Sequence, residues 1–364
     1  MIERPESFPK RRGRRDRRRP DGYQPLELSY STLRSDLDSA LDPLQQLGTV
    51  STSYFRWRIP KKSGGYRLIS APRADLAGVQ RQLADALQRL HEPRPNAHGF
   101  VPGRSIVSNA EPHVDRRWVF NLDLEDFFGS ISTRRIAGLL TSEPFNLRTA
   151  VAERIAELCT LDGRLPTGAP TSPVLSNMIA RKLDGQLQAF AHEHRATYTR
   201  YVDDLTFSTN LPRVPEALAI QIDDEWFVGG PLHALIVRNG FRVNVRKVRM
   251  QHRTVKQTVT GLVTNERVNV ERRMIRSIRG ALHAWHTYGY DAAQREFALR
   301  HGGSGGVKLE RVLRGRIEFV RMVRGHNDPL AQKLLSQLEL LVATGRRFPA
   351  DPPTGSDTIM SFFE

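Results

Sequence analysis

One cysteine, Cys159, occurs in the whole chain, so no intramolecular disulfide can hold it together. It lies on the apolar side of an expected helix with Val151 and Ile155, the setting of a core thiol rather than a nucleophile, and this sparing use suits a reducing cytoplasm. No apolar run approaches the ~20 residues that span a membrane, no signal peptide is visible and no internal repeat is apparent. Acidic residues are in deficit: 39 Asp and Glu against 55 Lys and Arg leave a formal net charge of +16. That balance points to a polyanionic partner, a nucleic acid or an anionic membrane surface. With 364 residues, 39% of them hydrophobic, the chain is long enough for about two domains and a sizeable core.

The acidic residues matter by their placement. Tyr201-Val202-Asp203-Asp204-Leu205-Thr206-Phe207-Ser208 sets two of them between runs that read as strands, 196–200 and 205–208. Like charges at a hairpin tip repel, and neither side chain can retreat into a core. A hard cation such as Mg²⁺ relieves this, since it takes oxygen ligands from one or two carboxylates and from substrate phosphates. The segment alone is equally readable as an acidic turn, because Asp favours turns. Trp118-Val119-Phe120-Asn121-Leu122-Asp123 alternates like a half-buried strand and delivers a third carboxylate at its end. One carboxylate on one strand and two on a distant hairpin are what a two-metal phosphoryl-transfer site needs, with ions roughly 4 Å apart. Glu125 and Asp126 follow Asp123 too closely to point the same way easily.

Residues 1–25 read as a tail: positions 10–20 hold seven Arg, one Lys and a single Asp, and bury nothing. It is either a nucleic-acid-binding arm or a solubilising terminus. Beyond it, strands are expected at 55–60 and 66–71 around Lys62-Ser63-Gly64-Gly65, and a helix at 73–91 from the spacing of Leu76, Val79, Leu83, Leu87 and Leu90. Helices follow near 133–141 and 147–160. Ser172 as N-cap and Pro173 in the first turn open another, to about 194. Then come the acidic hairpin, a helix at 215–239, a strand at 242–245, and strands 255–263 and 267–270 paired across Thr264-Asn265-Glu266. After Glu271 the pattern is helical and basic, with a Gly-rich loop at 301–306 and a last helix opened by Asp328-Pro329.

The two acidic segments resemble the Y-x-D-D and D-x-x-x-[FY] boxes of reverse transcriptases. Tyr66-Arg67-Leu68-Ile69-Ser70-Ala71-Pro72 resembles that family's phosphate-holding fingers motif, and His98-Gly99-Phe100-Val101-Pro102-Gly103-Arg104-Ser105 its next block. Gly168-Ala169-Pro170-Thr171-Ser172-Pro173 through Leu175-Ser176-Asn177 resembles the template-contacting loop and helix, and Gly240-Phe241-Arg242-Val243-Asn244 with Lys247 the motif after the catalytic hairpin. The match runs in order over about residues 54–325. Asn109-Ala110-Glu111-Pro112-His113 and Val259-Thr260-Gly261 fit the N-A-x-x-H and V-T-G signatures of retron enzymes. Two positions depart from the pattern: Thr167 stands where Gln is usual, which puts one nucleotide contact in doubt, and Val202 where retron enzymes commonly carry Ala.

The resemblance implies an α+β right-hand polymerase: fingers over 26–115, palm over 116–270 with inserted fingers helices, a helical thumb over 271–345, and a C-terminal tail over 346–364. It implies that Asp123, Asp203 and Asp204 hold two Mg²⁺ ions. Arg67, Phe128, Gly168 and Lys247 would contact the incoming nucleotide: Arg67 its γ-phosphate, Phe128 the sugar, Gly168 the neighbourhood of the templating base, Lys247 the pyrophosphate. Asn109, His113, Val259, Thr260, Gly261, Arg276 and Arg279 are candidate RNA contacts, with His113 alternatively a hydrogen-bonding strut and Tyr201 a buttress of the hairpin. Implied substrates and partners are dNTPs, a structured noncoding RNA, the RNA–DNA hybrid (msDNA) copied from it and an effector protein in anti-phage defence, with no membrane. Two other readings stay open. One is a non-retron bacterial reverse transcriptase, although intron enzymes usually add domains for which little room is expected after Thr344. The other is a catalytically idle RNA-binding protein, against which the three aspartates argue.

Overall fold

In this computed structural model the described residues are 53–61, 64–300 and 307–344. The basic tail, Lys62, the loop at 301–306 and the C-terminal tail lie outside them. The first element is an antiparallel hairpin, β1 (Tyr54–Pro60) with β2 (Tyr66–Pro72), in register from Tyr54 opposite Pro72 to Pro60 opposite Tyr66. Only its root is covered; Phe55, Trp57, Ile59, Tyr66 and Leu68 are exposed. Helix α1 (Ala74–Leu90) buries Leu76, Val79, Leu83 and Leu87 on one stripe. Helix α2 (Ile106–Ala110) is started by a capping box: the Ser105 hydroxyl accepts from Val107 and Ser108 N–H while Ser108 Oγ accepts from Ser105 N–H. It runs into a 3₁₀ turn, Glu111–His113.

The site is carried by a four-stranded antiparallel sheet. Strand β3 (Trp118–Asp123) is followed by α3 (Thr133–Thr141), α4 (Thr149–Cys159) and α5 (Ser172–Glu193). The chain returns as β4 (Thr197–Tyr201) and β5 (Asp204–Thr209), makes a separate hairpin of β6 (Ala219–Ile222) and β7 (Glu225–Val228), and passes through α6 (Gly230–Arg238) to β8 (Arg249–His252). Strand order in the sheet is β4-β5-β3-β8. Helices α1 and α3 to α6 join the sheet in one apolar core that includes Leu83, Leu122, Ile155, Cys159, Leu187 and Phe207. Each such side chain, fully buried, contributes roughly 1.5–3 kcal/mol. A second core is built by β9 (Thr258–Val259), β10 (Leu262–Val263), α7 (Arg272–Tyr288), α8 (Tyr290–Arg300), α9 (Leu309–Arg324) and α10 (Pro329–Thr344). Ala110, the last residue of α2, and Val119 of β3 belong to this second core, so it is packed onto the sheet rather than tethered to it.

Four sequence expectations are corrected. The helix expected over 215–239 is instead the β6–β7 hairpin and the short α6. Asp223 turns the chain with φ 53°, and at Gly229 it passes so close to the carbonyl oxygens of Glu216 and Ala217 that a Cβ would sit 2.3 Å from each. The strand expected over 242–245 is a single bridge, Val243 to Leu124, before a 3₁₀ turn at Val245–Lys247; the strand that joins the sheet is β8. The hairpin near the V-T-G segment turns at Thr260 and Gly261 (φ 47° and 80°), the positive-φ pair a two-residue hairpin loop requires, and the pairing expected across 264–266 is reduced to one antiparallel bridge, Val263 to Asn269. Ser172 is not the N-cap of α5: its hydroxyl donates to the Pro166 carbonyl at 2.6 Å, and Thr171 holds the cap position without a side-chain bond.

His113 is fully buried beneath β4 and β5, its Nδ1 2.7 Å from Ser208 Oγ and its Nε2 2.8 Å from Thr199 Oγ1. A neutral ring serves both hydroxyls, donating to one and accepting from the other. Burial, then Arg116 and His98, push its pKa down to about 3. Burial and Arg104 push His98 down to about 4, and burial, Arg181 and Arg200 do the same to His91. Because protonation then favours the unfolded chain, this stability is whole above the ordinary imidazole pKa and declines as pH falls below it. Urea unfolding at pH 7 and pH 5 should show a lower midpoint at pH 5, His113 alone giving a slope approaching about 1.4 kcal/mol per pH unit. His113→Ala should lose about 1–3 kcal/mol at pH 7 by stranding two hydroxyls and flatten the pH dependence; an unchanged pH dependence would contradict this role.

Candidate active site

Pairing of β3 with β5 sets Asp123 directly opposite Asp204, and Tyr201 opposite Asp204 closes the β4–β5 hairpin across Val202 and Asp203. Val202 has φ 62°, a left-handed conformation that holds a β-branched residue at roughly 1–3 kcal/mol of strain. Three contacts hold the turn. Leu124 N–H donates to the Asp203 carbonyl at 2.9 Å, and Arg200 Nη1 donates to the Val202 carbonyl at 3.0 Å. Gly99 packs so close that a Cβ there would lie 2.5 Å from Val202 N.

Asp123 is buried, and its carboxylate is met by Lys247 Nζ at 2.5 Å and Asn244 Nδ2 at 3.4 Å, while Asn244 N–H donates to its backbone carbonyl at 2.8 Å. Burial and then Asp123 hold the Asp203 carboxyl above the usual range; burial, then Asp203 and Asp123, push Asp204 up to about 7. Lys247 and Arg67 oppose the rise at Asp203, Lys247 and Arg249 at Asp204. Its hydrogen bond to Asp123 raises the Lys247 pKa in turn. Among the described residues no three His, Cys, Asp or Glu side chains converge into a closed metal cage. Mg²⁺ does not ask for one: it binds through one or two carboxylates with water and substrate phosphates completing the shell. Carboxyls raised by burial and by one another are a donor set that a divalent cation fits, and Asp123 and Asp203 would hold it.

Arg67 stands exposed on β2, near enough to Asp203 to influence its charge. Gly168, at φ 118°, lies where a Cβ would be 3.0 Å from Ile69 Cγ2 and 3.1 Å from the Ser70 carbonyl oxygen, so its loop is seated against β2. The neighbouring Thr167 carbonyl accepts from Ser70 N–H at 2.8 Å, a backbone bond that survives the change from the usual Gln. Of the two adjacent phenylalanines, Phe127 is core, stacked on Phe241 at 5.5 Å, while Phe128 is half-buried with its ring 6.3 Å from the exposed Phe100. Lys61 is exposed. Glu125 and Asp126 face away from Asp123 into an open recess of about 330 Å³, paired with Arg242 at 3.3 Å and Arg164 at 3.9 Å.

The candidate RNA contacts divide. Asn109, His113 and Val259 have no exposed surface, which corrects the expectation that these three touch RNA directly. Thr260 is half-buried and donates from Oγ1 to the Ile106 carbonyl at 3.2 Å; Gly261 is exposed beside it. The two signature segments, far apart in sequence, thus meet in space. Arg276 and Arg279 are exposed on α7 with Arg272 and Arg273. Of the supports, Gly99 and Asn244 stand in the motif blocks of the sequence without a role assigned to them, and Arg200 and Asp184 were missed. The one legible signal was an arginine at an inward position of a strand, since a buried guanidinium demands a partner.

A family model described as reverse transcriptase (RNA-dependent DNA polymerase) matches residues 59–262. The reverse transcriptase of retron Mx65 from Myxococcus xanthus is 38% identical over 252 residues, covering 63% of this chain and 55% of that protein. That of retron Mx162, from the same organism, is 34% identical over 367 residues, covering 92% of this chain and 71% of that protein. Among solved structures, apo telomerase from Candida tropicalis aligns at TM-score 0.45 and 11% identity over 86% of this chain and 62% of that chain. The helices and antiparallel sheet are consistent with the right-hand polymerase fold. A match over more than half the chain, with relatives of this identity, places the protein in a family: it belongs to the reverse transcriptases, the RNA-directed DNA polymerases, and among them to the retron type.

Proposed function

We propose that this chain copies a structured noncoding RNA into DNA, starting from a 2′-hydroxyl of that RNA and leaving a branched RNA–DNA molecule, msDNA. The observation that carries the polymerase reading is the cross-strand placement of Asp123 against Asp204 with Asp203 in the adjoining turn. The substrates are dNTPs, and the carboxylates of Asp123 and Asp203, seconded by Asp204, hold two Mg²⁺ ions. Bound there, such cations would supply a lowered pKa at the attacking hydroxyl and charge neutralisation at the leaving pyrophosphate. The protein's own groups do the positioning. Arg67 offers its guanidinium to the γ-phosphate bidentately, and Lys247, beside Asp123, binds or protonates pyrophosphate. Phe128 presses on the sugar, and Gly168 with Ala169 and Pro170 leaves room for the templating base.

In this reading residues 26–115 are fingers, 116–270 palm and 271–345 thumb. The exposed arginines of α7, Arg272, Arg273, Arg276 and Arg279, follow the RNA backbone, and the edge at Thr260 and Gly261 is a second contact. Kinship with retron enzymes is what supports a role in anti-phage defence with an effector protein, in the cytoplasm. No helix among the described residues is long and apolar enough to cross a membrane.

The product tests the reading. Incubated with its cognate RNA, dNTPs and Mg²⁺, the protein should yield DNA that stays with RNA on a denaturing gel and is freed by a 2′–5′ debranching enzyme. DNA that separates freely would contradict the branched product, and no extension of any primed RNA would contradict polymerisation by this chain. Asp203→Asn should abolish extension while leaving RNA affinity within about twofold, since phosphate contacts supply that affinity.

Phe128→Ala should relax sugar selection. Competing rNTPs against dNTPs on a primed template should show ribonucleotide incorporation rising at least about tenfold, the loss of roughly 1.4 kcal/mol of discrimination. Unchanged discrimination would make Phe128 a packing residue only.

A further inference from the structure

Among the described residues Arg200 is the largest side chain with no exposed surface, and it is bonded to the turn that carries Asp203. A guanidinium stays charged and offers five N–H donors, so each one buried has to be given an acceptor. Nε donates to Asp184 Oδ1 at 2.8 Å and Nη2 to Asp184 Oδ2 at 2.6 Å, a bidentate pair. Nη2 also donates to Asn177 Oδ1 at 3.0 Å. The remaining nitrogen, Nη1, donates to the Val202 carbonyl at 3.0 Å.

The partners are themselves fixed. Asp184 accepts from Tyr198 Oη at 2.9 Å, and its backbone carbonyl accepts from Asn96 Nδ2 at 3.1 Å. Asn177 Nδ2 donates to the Gly99 carbonyl at 2.9 Å. The Arg200 backbone completes the clamp: its N–H donates to the Asn96 carbonyl and its carbonyl accepts from His98 N–H, each at 2.8 Å. Val202 is therefore gripped from two sides, by Gly99 packed against its nitrogen and by Arg200 bonded to its carbonyl. A pair that only filled the core would need none of this; buried ion pairs replaced by apolar groups of similar volume are often as stable or more so.

We propose that Arg200 is a positioning residue for nucleotidyl transfer: its Nη1 bond to the Val202 carbonyl fixes the turn that carries Asp203, and Asp184 is the counter-charge that keeps the guanidinium in place. The proposal rests on Asp203 being the carboxylate that serves the reaction. Its signature is a loss of turnover and of metal response without loss of fold or of RNA.

The test uses the full chain on a primed RNA template, comparing wild type, Arg200→Met with Asp184→Leu, Gly99→Ala and Asp203→Asn by thermal melting, template affinity and Mg²⁺-titrated extension. The paired apolar variant, which strands Tyr198 Oη and Asn177 Oδ1, should melt below wild type yet stay folded and bind template equally. Its kcat should fall by about 10- to 100-fold, the scale of a misplacement near 1 Å, with a higher Mg²⁺ requirement and little change in KM for dNTP. Gly99→Ala, which pushes on Val202 from the other side and alters no buried charge, should give the same kinetic pattern and stands in if the paired variant fails to fold. Wild-type kcat and Mg²⁺ response in whichever of these folds, with Asp203→Asn inactive, would reduce Arg200 to a structural residue. An active Asp203→Asn would overturn the site assignment itself and the positioning role with it.

Discussion

The constraint on which this structure turns is the pairing of β3 with β5, because that register sets Asp123 opposite Asp204 and brings Asp203 round beside them. A sheet would not ordinarily place carboxylates so; like charges directly opposite are destabilising. Here the surrounding sheet leaves no alternative. Phe120 and Leu122 of β3 and Leu205 and Phe207 of β5 are buried, and a slip by one residue would turn them out of the core. Hydrophobic pairing thus imposes the electrostatic problem. Its solutions are local: Lys247 on Asp123, backbone N–H of Leu124 and Asn244 on the carbonyls of Asp203 and Asp123, and carboxyls that burial holds above the usual range at Asp203 and pushes up to about 7 at Asp204.

Support for the sheet comes from below, and much of it from the segments that mark the retron type. His113 ties β4 to β5 through Thr199 and Ser208, Ala110 enters the second core beside Val259, and Thr260 bonds the start of α2. These residues join the helices beyond Glu271 to the strands that bear the aspartates. Exposed α7 arginines and the Thr260–Gly261 edge are the surfaces of the joint that face outward.

Sequence reading succeeded where one period dominated. Trp118–Asp123 alternates cleanly and is a strand over those residues, and the leucines of 73–91 sit on one helix face as their spacing demands. It failed where short elements compete. Ile220, Ile222, Trp226 and Val228 fit a helix stripe loosely, but the Asp223 turn and the crowding at Gly229 make them a hairpin. The aspartates were legible because carboxylates in a basic chain are conspicuous. Asp184 was hidden in the apolar stripe of α5 between Leu183 and Leu187, and nothing local says that its partner, Arg200, lies sixteen positions later on another element.

The central claim is that Asp123 and Asp203 together hold the divalent cation during RNA-directed DNA synthesis. A crystal structure of the protein with a primed RNA template, a terminated primer end, an incoming dNTP and Mn²⁺ in place of Mg²⁺ addresses it directly. Anomalous density between the carboxylates of Asp123 and Asp203 and the nucleotide phosphates is the predicted result. Mn²⁺ bound away from both carboxylates, with the Lys247–Asp123 pair intact beneath a bound nucleotide, would contradict it.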